Sequence, residues 1–225
     1  MGYEAIIAAA GRGERLGLGI PKALVKICGK TVVERVVDKF VKFDKIRNIY
    51  VAVPPGYEPT IGGLLSKYGD RVKVYTGGTV RQESIHRGLK YISDEYVLIH
   101  DVARMMVTDK LIERVMHAVT KCDAVVPVIP VRDTIKEIDD SKVLRTLSRE
   151  RLYIVQTPQG FRTELIVKAY EKAQQEGYHA TDSASLVERY GVAVSTVEGE
   201  VSNIKLTYGG DVRLVECMLM VDKQC

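Results

Sequence analysis

The chain has 225 residues, with 33 Lys and Arg against 29 Asp and Glu, for a net charge of +4. An apolar share of 46% and a charged share of 28% describe a globular chain long enough to bury a full core. So small a basic excess argues against nucleic-acid binding, which asks for a dense basic face, while leaving room for a local basic pocket for phosphates.

Strands and helices alternate from the start. Ala5 to Ala9 reads as a short buried strand. Val32, Val33, Val36, Val37, Phe40 and Val41 then recur at helical spacing. Ile49 to Val53 is a second buried strand, stopped by Pro54-Pro55, and Leu64, Leu65 and Tyr68 sit on a short helix. Val72 to Tyr75 is a third strand, residues 81–92 a helix, Tyr96 to Ile99 a fourth strand, residues 109–121 a helix, and Ala124 to Val128 a fifth strand. Residues 131–156 break the rhythm. Thr134 to Ile138 and Lys142 to Thr146 read as two short strands joined at Asp139-Asp140-Ser141, a β-hairpin inserted in the sheet domain. Helix returns at 163–175 and 184–190, Val192 to Val197 is a late strand, and 211–221 a last helix. Repeated β–α–β units with buried strands predict one α/β domain over 1–225, with a mostly parallel sheet and helices on both faces. Ligands of such sheets bind beyond the carboxyl ends of the strands.

The loop leaving the first strand, Ala9-Ala10-Gly11-Arg12-Gly13-Glu14-Arg15-Leu16, is rich in small residues. A dinucleotide fingerprint fails because Leu16 stands at its third glycine, and a P-loop ending at Gly29-Lys30-Thr31 fails because Leu24 stands at its first. A loop whose successive N–H groups wrap a triphosphate fits, with Arg15 and Lys22 supplying charge and Pro21 fixing the chain before Lys22. Composition alone leaves a solvated basic loop equally open. Cys28, Cys122, Cys217 and Cys225 form no C-x-x-C pair, so neither a disulfide framework nor a cysteine zinc site is expected and a cytoplasmic setting is the default. Ala5 to Ala10 is too short for a signal peptide, and no apolar run approaches the roughly 18 residues of a membrane span.

Ala9-Ala10-Gly11-x-Gly13-x-x-Leu16 followed by Pro21-Lys22 resembles the signature loop of sugar nucleotidyltransferases. Six further blocks narrow the likeness: Gly77-Gly78 with Arg81 and Ser84, His100-Asp101-x-Ala103-Arg104, Val131 to Lys136, Gln156-Thr157-Pro158-Gln159, Thr181-Asp182-x-Ala184-Ser185-Leu186, and Asn203-Ile204-Lys205. In that order and spacing they resemble the 2-C-methyl-D-erythritol 4-phosphate cytidylyltransferase family of isoprenoid precursor synthesis. The resemblance implies a Rossmann-like fold with a β-arm that hooks two subunits into a homodimer. It implies CTP and methylerythritol phosphate as substrates, and Mg²⁺ as cofactor.

Carried over residue by residue, the resemblance implies that Arg15, Lys22 and Lys205 are catalytic. Ala9, Ala10, Gly11, Gly77, Gly78 and Ser84 would contact the nucleotide, and Asp101 would face the Mg²⁺. Arg104, Thr134, Arg149, Thr157 and Thr181 would take the acceptor, with Arg149 serving the other subunit. The chemistry is an in-line attack of an anionic phosphate, so it needs positioning and cations and no general base. His86, His117 and His179 are accordingly expected to be structural or exposed. The chain departs from the family pattern at Ala23, Thr79, Met105-Met106, Ser183 and Tyr208-Gly209-Gly210. Two alternatives are a ribitol 5-phosphate cytidylyltransferase and a non-catalytic nucleotide-binding homologue.

Overall fold

A computed structural model describes residues 1–221 of the chain; Cys225 lies outside the described residues. Strand β1 (Tyr3–Ala8) opens the fold, and a small ribbon of β2 (Lys26–Ile27) and β3 (Lys30–Thr31) leads into α1 (Val32–Phe40). Helix α1 begins where Thr31 and Glu34 cap one another. The Thr31 hydroxyl accepts from the Glu34 N–H, and the Glu34 carboxylate accepts from the Thr31 N–H. Val32, Val33, Val36, Val37 and Phe40 then form one fully buried stripe.

The alternation continues through β4 (Ile46–Val53), α2 (Glu58–Leu65), β5 (Val72–Thr76), α3 (Arg81–Leu89), β6 (Tyr96–Asp101), α4 (Asp109–Val119) and β7 (Ala124–Pro130). The expected hairpin follows as β8 (Ile135–Asp139) and β9 (Lys142–Leu147). Asp140 and Ser141 both have positive φ (42° and 64°), the mirror-type two-residue turn that suits a twisted hairpin. The register slips between Glu137 and Ile138. Ile138, Val143 and Leu144 stand 61%, 57% and 59% exposed, so the arm buries little against its own chain.

Besides the short β2–β3 ribbon, two strands have no clear counterpart in the sequence pattern: β10 (Tyr153–Val155) and β11 (Gln159–Arg162). Helices α5 (Thr163–Gln175) and α6 (Ser183–Tyr190), strand β12 (Ser195–Glu198) and helix α7 (Gly209–Val221) complete the described chain. Strand β12 starts later than the Val192 to Val197 run suggests, because the Val192 N–H closes the turn after α6 on the Val187 carbonyl. Helix α7 starts two residues earlier than expected. The Asp211 carboxylate accepts the N–H groups of Thr207 and Tyr208 at its entry.

The main sheet runs β10-β7-β11-β6-β1-β4-β5, with β12 also on β7. It is parallel through β6-β1-β4-β5, and β11 lies antiparallel between β6 and β7. Its two faces separate by period 2. Ala5 and Ile7 of β1 face α1, α2 and α4, while Ile6 faces α3, α5 and α6. Helices thus cover both faces, as the sequence predicts. Strand β11 carries little apolar alternation because Gly160 sits where α4 presses on the sheet. A Cβ there would lie 2.9 Å from Val115, too close for a side chain. Its neighbour Phe161 is fully buried on the opposite face.

Phe161→Ala should therefore destabilise the protein by about 3–5 kcal/mol, the usual cost of emptying an aromatic core position. Urea denaturation is the measurement, and a loss under about 1 kcal/mol would remove β11 from the core.

Candidate active site

The chain order places the site. Strand β1 leads to β4 on one side and has β6 on the other, so the strand order reverses at β1. At the carboxyl end of β6, register-paired with Ala8, stands Asp101. The loops after β1, β5 and β6 meet around it.

Asp101 is largely buried, and both its oxygens are engaged. Oδ1 accepts from Arg81 Nε at 2.7 Å, and Oδ2 accepts from Lys205 Nζ at 2.8 Å. Burial by itself would raise this carboxyl; Arg81 first and Lys205 second overturn that and hold it well below the usual carboxylate range. Burial likewise works against the Arg81 guanidinium, and Asp101, with Tyr170 and Asp182, more than offsets it. The sequence motifs give Arg81 no role of its own. A signal is nonetheless present: it is the first residue of α3, where a cation opposes the helix dipole and needs another reason to be there.

Lys205 is held by a lattice of buried amides rather than by regular structure. The Gln156 Oε1 accepts from the Glu200 N–H at 3.0 Å, and its Nε2 donates to the Glu200 carbonyl at 2.7 Å. The Asn203 Nδ2 donates to the Thr157 carbonyl at 2.9 Å. Arg104 donates to the carbonyls of Asn203 at 2.7 Å and Val155 at 3.0 Å. The Leu206 N–H bonds the Ala103 carbonyl, and Lys22 donates to the Leu206 carbonyl. The sequence blocks 100–104, 156–159 and 203–205 thus converge on one knot. Burial, then the neighbouring charges of Lys205 and Arg15, lower the Lys22 ammonium from its ordinary value. Three cations crowd together, with Asp101 and Asp211 as the nearby acids.

The loop after β5 packs on the first loop. A Cβ on Gly77 would lie 2.5 Å from the Ala10 Cβ, so glycine is required for the approach. Ser84 is buried beneath it. Its hydroxyl accepts from the Gly78 N–H at 2.9 Å and donates to the Val80 carbonyl at 3.0 Å. Ser84 therefore shapes the Gly77–Gly78 turn, and its donor is directed to the backbone rather than to an open base site. Ala9 is buried, while Ala10 and Gly11 are accessible.

A cleft of about 360 Å³ lies beside Asp101, lined by Arg81, Arg104, Thr157, Gln159, Thr181 and Asp182 among others. Thr181 is exposed at its rim. Thr157 lines the cleft, but its hydroxyl accepts the Asp101 N–H at 3.1 Å and meets His100 Nδ1 at 3.0 Å. Thr134 and Arg149 are not brought to this cleft within the chain. Both are exposed on the arm, and Arg149 donates to the Arg132 carbonyl. His86 is partly buried, and His117 and His179 are exposed, outside the cleft as expected. The departures fit their surroundings: Ala23 and Met105 are buried in the core, and Ser183 is buried between Arg81 and Tyr170.

Among the described residues no group of His, Cys, Asp and Glu forms a metal cage. One ionised carboxylate in a cleft fits a hydrated hard cation that shares its other ligands with phosphates, as Mg²⁺ does. No helix of the described residues is long and apolar enough to cross a membrane.

A family model described as 2-C-methyl-D-erythritol 4-phosphate cytidylyltransferase matches residues 3–221. A protein of that name from Bacillus mycoides is 39% identical over 225 residues, covering 99% of this chain and 100% of the relative. The crystal structure of the enzyme so named from Thermus thermophilus is 36% identical with a TM-score of 0.85, covering 98% of this chain and 100% of that one. A 4-diphosphocytidyl-2C-methyl-D-erythritol synthase structure from Anaerococcus prevotii is 32% identical, with a TM-score of 0.87, covering 97% and 96%.

His100 supports the site from below. Its ring is fully buried against Phe40, with Nε2 3.1 Å from the Arg104 carbonyl. That contact needs a proton on Nε2, so the Thr157 hydroxyl donates to Nδ1. Burial lowers the imidazole to about 4. The folded value lies below the unfolded value of about 6.5, so between them the unfolded chain holds the extra proton. Stability should fall as pH drops from about 6.5 to about 4, by up to ~1.4 kcal/mol per pH unit. Urea unfolding across that range reads the slope, and NMR of the ring should find it neutral at pH 5. A charged ring there would overturn the assignment.

Proposed function

The chain belongs to the 2-C-methyl-D-erythritol 4-phosphate cytidylyltransferase family, and from that premise we propose how its residues carry out the reaction. The enzyme transfers the cytidylyl group of CTP to 2-C-methyl-D-erythritol 4-phosphate, giving 4-diphosphocytidyl-2-C-methyl-D-erythritol and pyrophosphate. An oxygen of the acceptor phosphate forms the new bond to the α-phosphorus, and the bond to the bridging oxygen of the leaving pyrophosphate breaks. Negative charge builds at the α-phosphorus and on the leaving group, so fixed cations are the main need.

The observation that carries the assignment is the meeting of Lys22 with the segment of Lys205, through its bond to the Leu206 carbonyl; burial first, then the charges of Lys205 and Arg15, lower the Lys22 ammonium. Such a cluster is unfavourable alone and is relieved by a polyanion. Lys22 and Lys205 take the α-phosphate from two sides, and Arg15 takes the outer phosphates. Ala10 and Gly11 offer backbone N–H groups to the triphosphate, while the Ala9 N–H is held by the Ala52 carbonyl and Ala9 anchors the loop to the sheet. Gly77 and Gly78, held by Ser84, let the backbone approach the cytosine. Asp101 faces the Mg²⁺, which when bound neutralises phosphate charge. Arg104, Thr157 and Thr181 lie along the acceptor cleft. The free thiols Cys28, Cys122 and Cys217 suit a reducing cytoplasm.

The arm provides the dimer. An isolated two-stranded hairpin is marginal in water. Its exposed Ile138, Val143 and Leu144, with Tyr153, Ile154 and Val155 at its base, supply an apolar surface for a two-fold partner. Thr134 and Arg149 then serve the partner's acceptor site, where an Arg fork suits a phosphate.

Pyrophosphate release with CTP, Mg²⁺ and either methylerythritol phosphate or ribitol 5-phosphate tests the acceptor. The first should be strongly preferred, and a preference for ribitol phosphate would sink the assignment. In the same assay Lys22→Ala should lower kcat about 10²-fold, with a much smaller change in KM for CTP. A near-normal kcat would remove Lys22 from the chemistry.

Mixing two inactive variants tests the shared site. In an Arg149→Ala/Lys22→Ala heterodimer, one site holds both defects and the other holds neither. Co-refolding should recover activity, whereas a monomer by light scattering, or proven heterodimers without activity, would place Arg149 elsewhere.

A further inference from the structure

The two cations on Asp101 differ in kind. Arg81 is rooted: its side chain is mostly buried, and it also donates to Ser183 Oγ at 3.4 Å, which in turn meets the Tyr170 hydroxyl at 2.9 Å. Lys205 is 44% exposed at its side chain and carries its ammonium on a flexible four-carbon stem. Its ion-pair partner among the described residues is Asp101 alone. Between them they occupy both carboxylate oxygens, at 2.7 and 2.8 Å. An oxygen holding an ammonium at that distance is a poor ligand for Mg²⁺, which sits at about 2.1 Å and would be driven against a like charge.

Given the roles of Asp101 and Lys205 above, we propose that Lys205 is a place-holder. In the nucleotide-free enzyme it covers the Asp101 oxygen that a divalent cation needs. It leaves that oxygen for the nucleotide phosphates, while Arg81 keeps Oδ1 throughout and is the positioning residue of the metal carboxylate. The exchange keeps the carboxylate matched: one cation leaves it as another is admitted. It also sets an order, since the free enzyme has little affinity for a bare dication and the metal is accepted together with CTP. The lattice of Gln156, Asn203 and Arg104 fixes the Lys205 backbone, so only the side chain has to swing. A buried, branched guanidinium could not make that movement, which accounts for a lysine at 205 and an arginine at 81.

The test is Mn²⁺ binding followed by the EPR signal of the free ion, without acceptor, so that no turnover intervenes. Wild-type enzyme should bind Mn²⁺ weakly alone and tightly with CTP. Lys205→Met keeps the stem and removes the charge at a half-exposed position. Without nucleotide it should bind Mn²⁺ about tenfold more tightly than wild type, and the gain should vanish in the Lys205→Met/Asp101→Asn double variant. With CTP, Arg81→Met should weaken Mn²⁺ about tenfold and Arg81→Lys by much less, a rescue that a purely packing role would not give; circular dichroism checks that both are folded. If Asp101→Asn weakens Mn²⁺ in the CTP complex but Lys205→Met brings no gain without nucleotide, the place-holder idea falls and the metal role stands. If Asp101→Asn leaves Mn²⁺ affinity unchanged, the metal role falls and the place-holder with it.

Discussion

A carboxylate that is almost wholly buried must be matched by cations, and at Asp101 that requirement organises the molecule's working end. Arg81 reaches it from the first turn of α3, and Lys205 from the segment between β12 and α7. Leaving the carboxylate without its cations in so dry a place would cost several kcal/mol. The carboxylate therefore couples the first half of the chain to its end. It also places positive charge at the carboxyl edge of the sheet, where the strand order reverses and a nucleotide can lie.

What keeps Lys205 within reach is a second kind of interaction. The segment 199–208 has no regular hydrogen-bond ladder, so its backbone groups must find side chains. Gln156, Asn203 and Arg104 supply them. Each is buried, and each satisfies main-chain groups that would otherwise be orphaned. The same residues join the start of β11 to the loop after β6, so the cleft wall, the Asp101 carboxylate and the lysine share one rigid support. Catalysis by positioning needs such rigidity more than it needs reactive groups.

The arm shows the opposite economy of structure. Strands β8 and β9 pair only with one another and carry apolar side chains into solvent. Their mirror-type turn and cross-strand ladder make a stiff hairpin, yet among the described residues nothing covers its apolar face. A fold that buries Ile6, Val97 and Phe161 completely does not leave Ile138, Val143 and Leu144 exposed for lack of room. A partner of the same sequence, as proposed above, would satisfy them by symmetry.

The α/β rhythm, the helices on both faces and the hairpin were legible in the sequence because they rest on local periodicity, such as the stripe from Val32 to Phe40 or the alternation of Ala5, Ile6 and Ile7. The loops that meet at the site were legible too, since glycines and cations gather after the buried strands. Strand β11 was not, because Gly160 is set by the closeness of α4 and leaves only Phe161 as an apolar mark. Nor were the inward engagements of Ser84 and Thr157, whose hydroxyls shape a turn and hold His100. Local sequence specifies which residues can form an element and which can carry charge. Which arginine and which lysine answer a buried carboxylate depends on groups 20 and 104 residues away from it. Only the folded chain brings those together, because burial is what makes an unpaired polar group costly.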